Sequence, residues 1–136
     1  MDREIEYAYC AGIIDGEGSI LISQGKEPGV SVTNTDLGLL EYLQSMFGGS
    51  IRTQKTYKPH HKPAWLWSVR YDRALRMIEC ILPYMKETDK VRRALLLFDE
   101  WKACTPRNGR YTEEQAEAKR SLLERFFLRG CQVSTS

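Results

Sequence analysis

The sequence predicts one domain of the α+β class, a mixed α/β domain built on an antiparallel sheet. Its 136 residues are enough for one hydrophobic core, and its 42% apolar and 28% charged residues are typical of a globular protein. Two pairs of β-rich stretches are each preceded by a helical pattern, and further helical patterns follow them. We therefore expect a single domain over 1–136 in the order α-ββ-α-ββ-α-α-α, with a core at about 1–104 and a C-terminal helix at about 112–129.

Local patterns define the individual elements. Helical periodicity covers 2–15, 35–49, 72–83, 89–104 and 112–127. Capping residues mark two of these helices: Thr35 or Asp36 begins the second, Gly48 and Gly49 end it, and a Thr-x-x-Gln capping box at Thr112 begins the last. β-rich composition predicts strands at 19–26, 29–34, 50–56 and 64–71. The hairpin signal "EPG" separates the first two strands, and the loop 57–63 joins the last two.

Strand alternation predicts a sheet with one apolar and one polar face. The apolar face is predicted to carry Val30, Val32, Ile51, Trp65, Trp67, Val69 and Tyr71. The opposite face carries Ser31, Thr33, Arg52, Gln54, Leu66, Ser68 and Arg70. A solvated sheet face has this composition, but Arg, Gln, Ser and Thr also read base edges in the DNA major groove, which admits a β-ribbon. Both interpretations stay open at this point.

The charge of the chain is concentrated in one stretch, although its net value is only +2. Seven basic residues stand against one acid, Asp72, and they are Arg52, Lys55, Lys58, Lys62, Arg70, Arg73 and Arg76. His60 and His61 lie in the same stretch. The block indicates either a solvated surface or a surface for a polyanion such as DNA.

Other sequence features exclude several protein classes. No segment is long and apolar enough to span a bilayer, and the first ten residues are acidic, unlike a signal peptide. The four cysteines have no C-x-x-C spacing, so a zinc site or a disulfide framework is not expected. We expect an intracellular protein, in a bacterial or archaeal cytoplasm or in an organelle, that does not bind membranes.

The stretch "YCAGIIDGEGSI" at 9–20 ends a predicted helix with two acids among glycines. On that helix small side chains form a strip, and its members are Ala8, Ala11, Gly12, Asp15 and Gly16. Such a strip lets a second helix approach closely, and the same helix of a second copy is the natural partner. Two Glu17 carboxylates would then meet at negative helix ends, where a hard divalent cation would compensate them. A helix that ends in a glycine-rich turn with solvated acids is the alternative.

The sequence "CAGIIDGEGSI" at 10–20 resembles the motif of LAGLIDADG homing endonucleases, with Cys10 at the leading leucine and Glu17 at the second acid. The resemblance continues into 34–36, 47–51, 82–85 and 90–94. It implies an αββαββα core whose antiparallel, saddle-like sheet binds DNA, with the helices packed on the opposite face. Members with one motif act as homodimers.

The resemblance also implies an activity. Such homodimers hydrolyse double-stranded DNA at pseudo-palindromic sites and leave 3′ overhangs. They are intron-encoded nucleases that use Mg²⁺, with Mn²⁺ as a substitute, and no small-molecule cofactor. Relatives that act as RNA maturases, or that bind DNA without cutting it, are the alternatives for this chain.

Roles for individual residues follow from the same resemblance. Glu17 is the implied metal ligand, with the Gly16 carbonyl as a second ligand and Asn34 positioning water. Lys90 is expected to stabilise charge on the phosphate, and Lys86 is the alternative lysine. The implied DNA-contacting residues are Ser19, Leu21, Ser23, Ser31, Thr33, Arg52, Gln54, Lys58, Lys62, Leu66, Ser68 and Arg70.

Overall fold

The computed structural model describes residues 2–54, 62–106 and 110–128. Its helices are α1 (Arg3–Glu17), α2 (Leu37–Phe47), α3 (Asp72–Ile81), α4 (Thr88–Glu100) and α5 (Glu113–Phe127), with a 3₁₀ turn at Leu82–Tyr84. Its strands are β1 (Gly18–Ser23), β2 (Glu27–Asn34), β3 (Ser50–Gln54) and β4 (Ala64–Arg70). The α+β class and the αββαββα order are confirmed. None of the described helices is long and apolar enough to cross a membrane.

The four strands form one antiparallel sheet in the order β1-β2-β4-β3. The predicted alternation is confirmed on its two central strands, because Val30, Val32, Trp67 and Val69 are each at most 2% exposed. Buried residues of all five helices join this apolar face in one core. The polar face is therefore left on the outside of the protomer, away from the core.

The first hairpin turns earlier than the sequence predicts. "EPG" does not form the turn, because Glu27–Gly29 already belong to β2. The turn lies at Gln24 and Gly25, with φ of 53° and 70°, and the Lys26 N–H donates to the Ser23 carbonyl over 3.0 Å. Two successive left-handed residues match the twist of a hairpin, and with the turn here β2 begins two residues earlier than predicted and ends, as predicted, at Asn34.

Helix ends follow the predicted caps more closely than the predicted limits. Asp36 caps α2 by accepting from the Leu39 N–H over 3.4 Å, and Gly48 ends it with a φ of 75°. The capping box at Thr112 is present at the start of α5. In contrast, α1 continues two residues beyond the predicted limit, to Glu17, and α4 ends earlier, at Glu100.

The C-terminal helix α5 is part of the same core. Its residues Leu122 and Phe126 are fully buried. The Lys119 ammonium lies 3.5 Å from the centre of the Trp101 ring, which follows α4 directly. Arg92 of α4 donates to the Arg125 carbonyl at the end of α5. The last carbonyls of a helix have no partner within the helix, so they can accept such a hydrogen bond. These contacts fix α5 against α4.

Candidate active site and nucleic-acid-binding face

The first helix passes into β1 without a loop. The Gly18 N–H donates to the Ile14 carbonyl and so closes the last turn of α1. A Cβ atom at Gly18 would lie 2.7 Å from the Ile14 Cδ1 and 2.8 Å from the Ile14 Cα. Only glycine fits this close approach. The turn leaves Glu17 exposed at the junction of helix and sheet.

The structure brings Glu17 and Asn34 together. Asn34 is the last residue of β2, and its Nδ2 donates to the Glu17 Oε2. The Asn34 Oδ1 accepts from the Asp36 N–H over 2.8 Å, which fixes the orientation of the amide. The exposed Glu17 carboxylate is therefore held by a side chain from the neighbouring strand.

Lys90 supplies a cation at the end of α1. Its Nζ donates to the Ile14 carbonyl over 3.0 Å and to the Asp15 carbonyl over 2.8 Å. A helix ends with unpaired carbonyls and a partial negative charge, so an ammonium there is stabilising. Lys90 of α4 thus compensates the partial negative charge of this helix end within the same protomer.

The Asp15 carboxylate points toward the start of α4. It accepts from the Lys86 N–H over 2.8 Å and from the Glu87 N–H over 3.2 Å. Asp15 therefore connects α1 to the segment that carries Lys90. The Lys86 side chain is exposed beside this connection, whereas Lys90 is partly buried.

The polar sheet face consists of cross-strand rows. The row nearest to Asn34 contains Thr33, Leu66 and Arg52, with Leu66 paired to both of the others. The next row contains serines from all four strands, in the order Ser19, Ser31, Ser68 and Ser50. The outer row contains Leu21, Gly29 and Arg70.

A shallow depression runs across these rows. Its lining includes Leu21, Ser23, Ser31, Arg52, Leu66, Ser68 and Arg70. The predicted strand residues thus share one surface, and Gln54 is exposed at the end of β3. Lys62 is also exposed, while Lys58, His60 and His61 lie outside the described residues.

The described basic residues of the stretch 52–76 lie on two different surfaces. Arg52 and Arg70 lie on the polar face of the sheet, but Arg73 and Arg76 belong to α3. Arg76 lines a groove with residues of α4, on the helical side of the protomer. Among the described residues, Arg52 and Arg70 are therefore the arginines of this stretch that lie on the sheet face.

The small-residue strip on α1 is narrower than predicted. Ala8, Gly12 and Gly16 are exposed, and a Cβ atom added at either glycine would have no neighbouring atom within 4 Å. Ala11 does not belong to the strip, since it is fully buried in the core of the protomer. Asp15 is directed toward α4 instead, as described above. The remaining strip lies open to solvent beside Tyr9, which is 57% exposed.

Gly16 and Glu17 are consecutive, exposed residues at the end of the strip. The Glu17 carboxylate and the Gly16 carbonyl are oxygen ligands of the kind that Mg²⁺ prefers. Within 2–54, 62–106 and 110–128 no group of three or more His, Cys, Asp or Glu side chains is placed to hold a metal. A cation at Glu17 would need further ligands from water, DNA or a second protomer.

A comparison with protein families identifies the chain. Residues 4–78, more than half of the 136, match the family described as "LAGLIDADG-like domain". The chain belongs to the LAGLIDADG-like family. The match includes Glu17 and Asn34 and both strands that carry the arginines of the polar face. No curated protein matches the LAGLIDADG-like chain.

The fold is similar to that of solved homing endonucleases, and several of these structures are complexes with DNA. The homing endonuclease I-CvuI, in complex with its target in the presence of calcium, is 18% identical with a TM-score of 0.62, over 94% of this chain and 86% of that chain. The archaeal intron-encoded homing endonuclease I-Vdi141I, complexed with DNA, is 17% identical with a TM-score of 0.61, over 91% and 86%. The LAGLIDADG homing endonuclease I-SmaMI, bound to cleaved DNA, is 23% identical with a TM-score of 0.65, over 90% of this chain but 42% of that one.

Sequence reasoning missed Glu27 as a residue of the polar face. Glu27 accepts a hydrogen bond from the Arg70 Nη1 over 3.1 Å and one from the Tyr71 hydroxyl over 2.9 Å. Tyr71, predicted on the apolar face, is 53% exposed. Placing the hairpin turn at Gln24 and Gly25 would have extended the alternation of β2 back to Glu27 and found it.

Proposed function

We propose that this LAGLIDADG-like protein is a homing endonuclease that cuts double-stranded DNA at a long pseudo-palindromic site and leaves 3′ overhangs. The observation that carries the proposal is the position of Glu17. An exposed carboxylate, oriented by Asn34, stands at the edge of a sheet face whose rows contain arginine, serine and threonine. The three nuclease–DNA complexes that share this fold support the same assignment.

Glu17 and the Gly16 carbonyl would hold the divalent metal, Mg²⁺ with Mn²⁺ as a substitute. When bound, such an ion activates water and relieves negative charge on the phosphate oxygens. Asn34 fixes one carboxylate oxygen of Glu17 by donating to it, and the other oxygen would bind the metal. Asn34 would also position water next to the phosphate.

Lys90 would act at the rim of the same site. An ammonium has three N–H groups, and two of them donate to the carbonyls of Ile14 and Asp15. We propose that the third donates to a phosphate oxygen of the bound DNA. Lys90 is preferred over Lys86 because its ammonium contacts the same helix end that carries Glu17.

Cutting both strands requires two such sites. The strip of Ala8, Gly12 and Gly16 is open to solvent and leads directly to Glu17. We propose that α1 packs against α1 of a second copy, so that a two-fold axis passes between the two Glu17 residues. Each sheet would then read one half of the site.

The sheet rows predict an order of contacts along each half-site. Strands rise by about 3.3 Å per residue, so Gly29, five residues from Asn34 in β2, lies about 17 Å from it. Base pairs repeat every 3.4 Å or so. Arg70, opposite Gly29, would therefore contact DNA about five base pairs farther from the cut than the Asn34 end, whereas Arg52 would contact the inner pairs.

A cleavage selection tests the function directly. A randomised library of palindromic duplexes is incubated with the protein and Mg²⁺, and cut molecules are sequenced. We expect cut sites with a two-fold symmetric preference and protruding 3′ ends. Binding of duplexes without any cutting in Mg²⁺ or Mn²⁺ would contradict the nuclease and favour a DNA-binding regulator. Binding of folded RNA alone would favour a maturase.

A further inference from the structure

An acidic residue lies on the face that is proposed to approach DNA. Glu27 shares strand parity with Gly29 and Ser31, so it belongs to the polar face of β2. Its carboxylate forms an ion pair with Arg70 at 3.1 Å, and the Arg70 side chain remains 51% exposed. A carboxylate here opposes contact with phosphates, so the residue needs an explanation other than general DNA affinity.

The backbone at Tyr71 places its hydroxyl on this carboxylate. Normal alternation after Arg70 would direct Tyr71 to the core. Instead Tyr71 has a φ of 56°, a left-handed conformation that is uncommon for an aromatic residue, and its N–H donates to the Pro28 carbonyl over 2.9 Å. This turn lets the Tyr71 hydroxyl donate to the Glu27 Oε1 over 2.9 Å. Residues on the polar face thereby form a chain from Tyr71 to Glu27 to Arg70.

We propose that Glu27 is a positioning residue that orients the Arg70 guanidinium for recognition of a single base pair. The proposal rests on the proposed function and concerns the specificity of the same DNA-binding face. One carboxylate oxygen of Glu27 accepts from the Arg70 Nη1, and the other accepts from the Tyr71 hydroxyl. The Arg70 guanidinium is therefore fixed from one side. The remaining N–H groups of its planar fork are free to pair with guanine O6 and N7, the commonest specific contact of arginine.

The same arrangement separates specificity from affinity. An arginine without a fixed orientation can pair with phosphates of any sequence, whereas an arginine held by Glu27 is restricted to one direction. The hydrogen bond to Glu27 raises the pKa of Tyr71, so its hydroxyl stays protonated and keeps donating. Removing Glu27 should therefore strengthen binding to DNA of any sequence and weaken the preference for one base pair.

The test compares Glu27→Gln, Tyr71→Phe and Arg70→Ala with wild type. Binding is measured with Ca²⁺ on the duplex recovered by the cleavage selection and on single-base variants of its outer half-site. Arg70→Ala identifies the base pair that Arg70 reads. We expect Glu27→Gln to lose at least about five-fold of the discrimination at that base pair and at no other. It should also bind unrelated duplex DNA more tightly.

Two variants separate orientation from charge. Tyr71→Phe keeps the charge but removes the donor to Glu27, so it should reduce discrimination at the same base pair without tighter binding of unrelated DNA. Glu41→Gln removes one negative charge from an exposed position of α2 and should leave the base preference unchanged. If Glu27→Gln keeps full discrimination at the base pair that Arg70→Ala identifies, the positioning role of Glu27 is wrong, and the proposed function is unaffected. A wild type without any base preference would overturn the proposed function as well.

Discussion

Replacing Gly12 with leucine separates the stability of the protomer from its assembly. Gly12 lies inside α1, and a Cβ atom there would meet no other atom of the protomer within 4 Å. Leucine is a better helix former than glycine, so Gly12→Leu should stabilise an isolated protomer by about 0.5–1 kcal/mol. At a protein concentration low enough for wild type to be monomeric, the melting temperature should rise by about 2–4 °C for a domain of this size. If Gly12→Leu instead lowers the stability of the isolated protomer, Gly12 is not open to solvent there.

The same substitution should end the proposed pairing of two α1 helices. Interaxial distances of packed helices range over about 8–10 Å according to the side chains in between, so leucine at Gly12 should move the axes apart by up to about 2 Å. A displacement of about 1 Å at a catalytic group can lower the rate by about 100-fold. We therefore expect cleavage to be lost and the dimer to be weakened or broken.

Sedimentation equilibrium, thermal unfolding and cleavage of the selected duplex measure these effects together. Ala118→Leu is the matched control, since it adds a large side chain to an exposed position of α5, away from the strip. The control should assemble and cut as wild type does. If Gly12→Leu assembles and cuts normally, or if wild type stays monomeric on its cut site, pairing through α1 is wrong.

Two further predictions concern stability. Gly18→Ala places a Cβ atom 2.8 Å from the Ile14 Cα and should lower the free energy of unfolding in urea by about 1–3 kcal/mol; a loss below about 0.5 kcal/mol would contradict the close approach. Hydrogen bonds from Arg125, at 2.6 and 2.7 Å, lower the pKa of Glu100, whose side chain is 39% exposed. This lowered pKa stabilises the fold at pH values above the ordinary pKa of 4.5, and the contribution is lost as the pH falls through the lowered pKa. Glu100→Gln should therefore cost about 0.5–1 kcal/mol at pH 7 and less at pH 3. If Glu100→Gln loses the same stability at both pH values, the ion pair between Glu100 and Arg125 does not stabilise the fold.

Local sequence patterns predicted most of the fold because periodicity and caps act over a few residues. Strand alternation placed Val30, Trp67 and Val69 on the core side, and they are buried there. The pattern failed at Tyr71, where alternation was extended one residue past the end of β4. A positive φ redirects that side chain, and nothing in the surrounding sequence required it.

The hairpin error has a different cause. Proline and glycine in "EPG" are strong turn formers, but Gln24 and Gly25 supply the pair of left-handed residues that a tight hairpin needs. Gly29 instead lies inside the strand, where an added Cβ atom would lie 3.0 Å from the Leu21 Cδ1 and 3.2 Å from the Val69 carbonyl oxygen. A glycine inside a strand can thus allow neighbouring atoms to approach the backbone closely, rather than form a turn.

The candidate site was predictable where it depends on one segment and unpredictable where distant segments meet. Helical spacing found Gly12 and Gly16, but it did not distinguish the exposed side of α1 from the side that buries Ala11. The contacts of Lys90 with α1 join residues about 75 positions apart, and helical or strand periodicity does not extend over such distances. The resemblance to a family supplied Lys90 as a candidate, and the helix-end carbonyls give it a physical reason.

The role of Glu17 is the central claim, and single-turnover cleavage of the selected duplex by Glu17→Gln tests it most directly. Glutamine keeps the shape of the side chain and removes the charge that would hold a metal. With Mg²⁺ we predict a rate at least about 100-fold below wild type, while binding measured with Ca²⁺ stays unchanged. Glu4→Gln, the same change at an exposed position in the first turn of α1, should cut normally. Cleavage by folded Glu17→Gln at the wild-type rate would contradict the account.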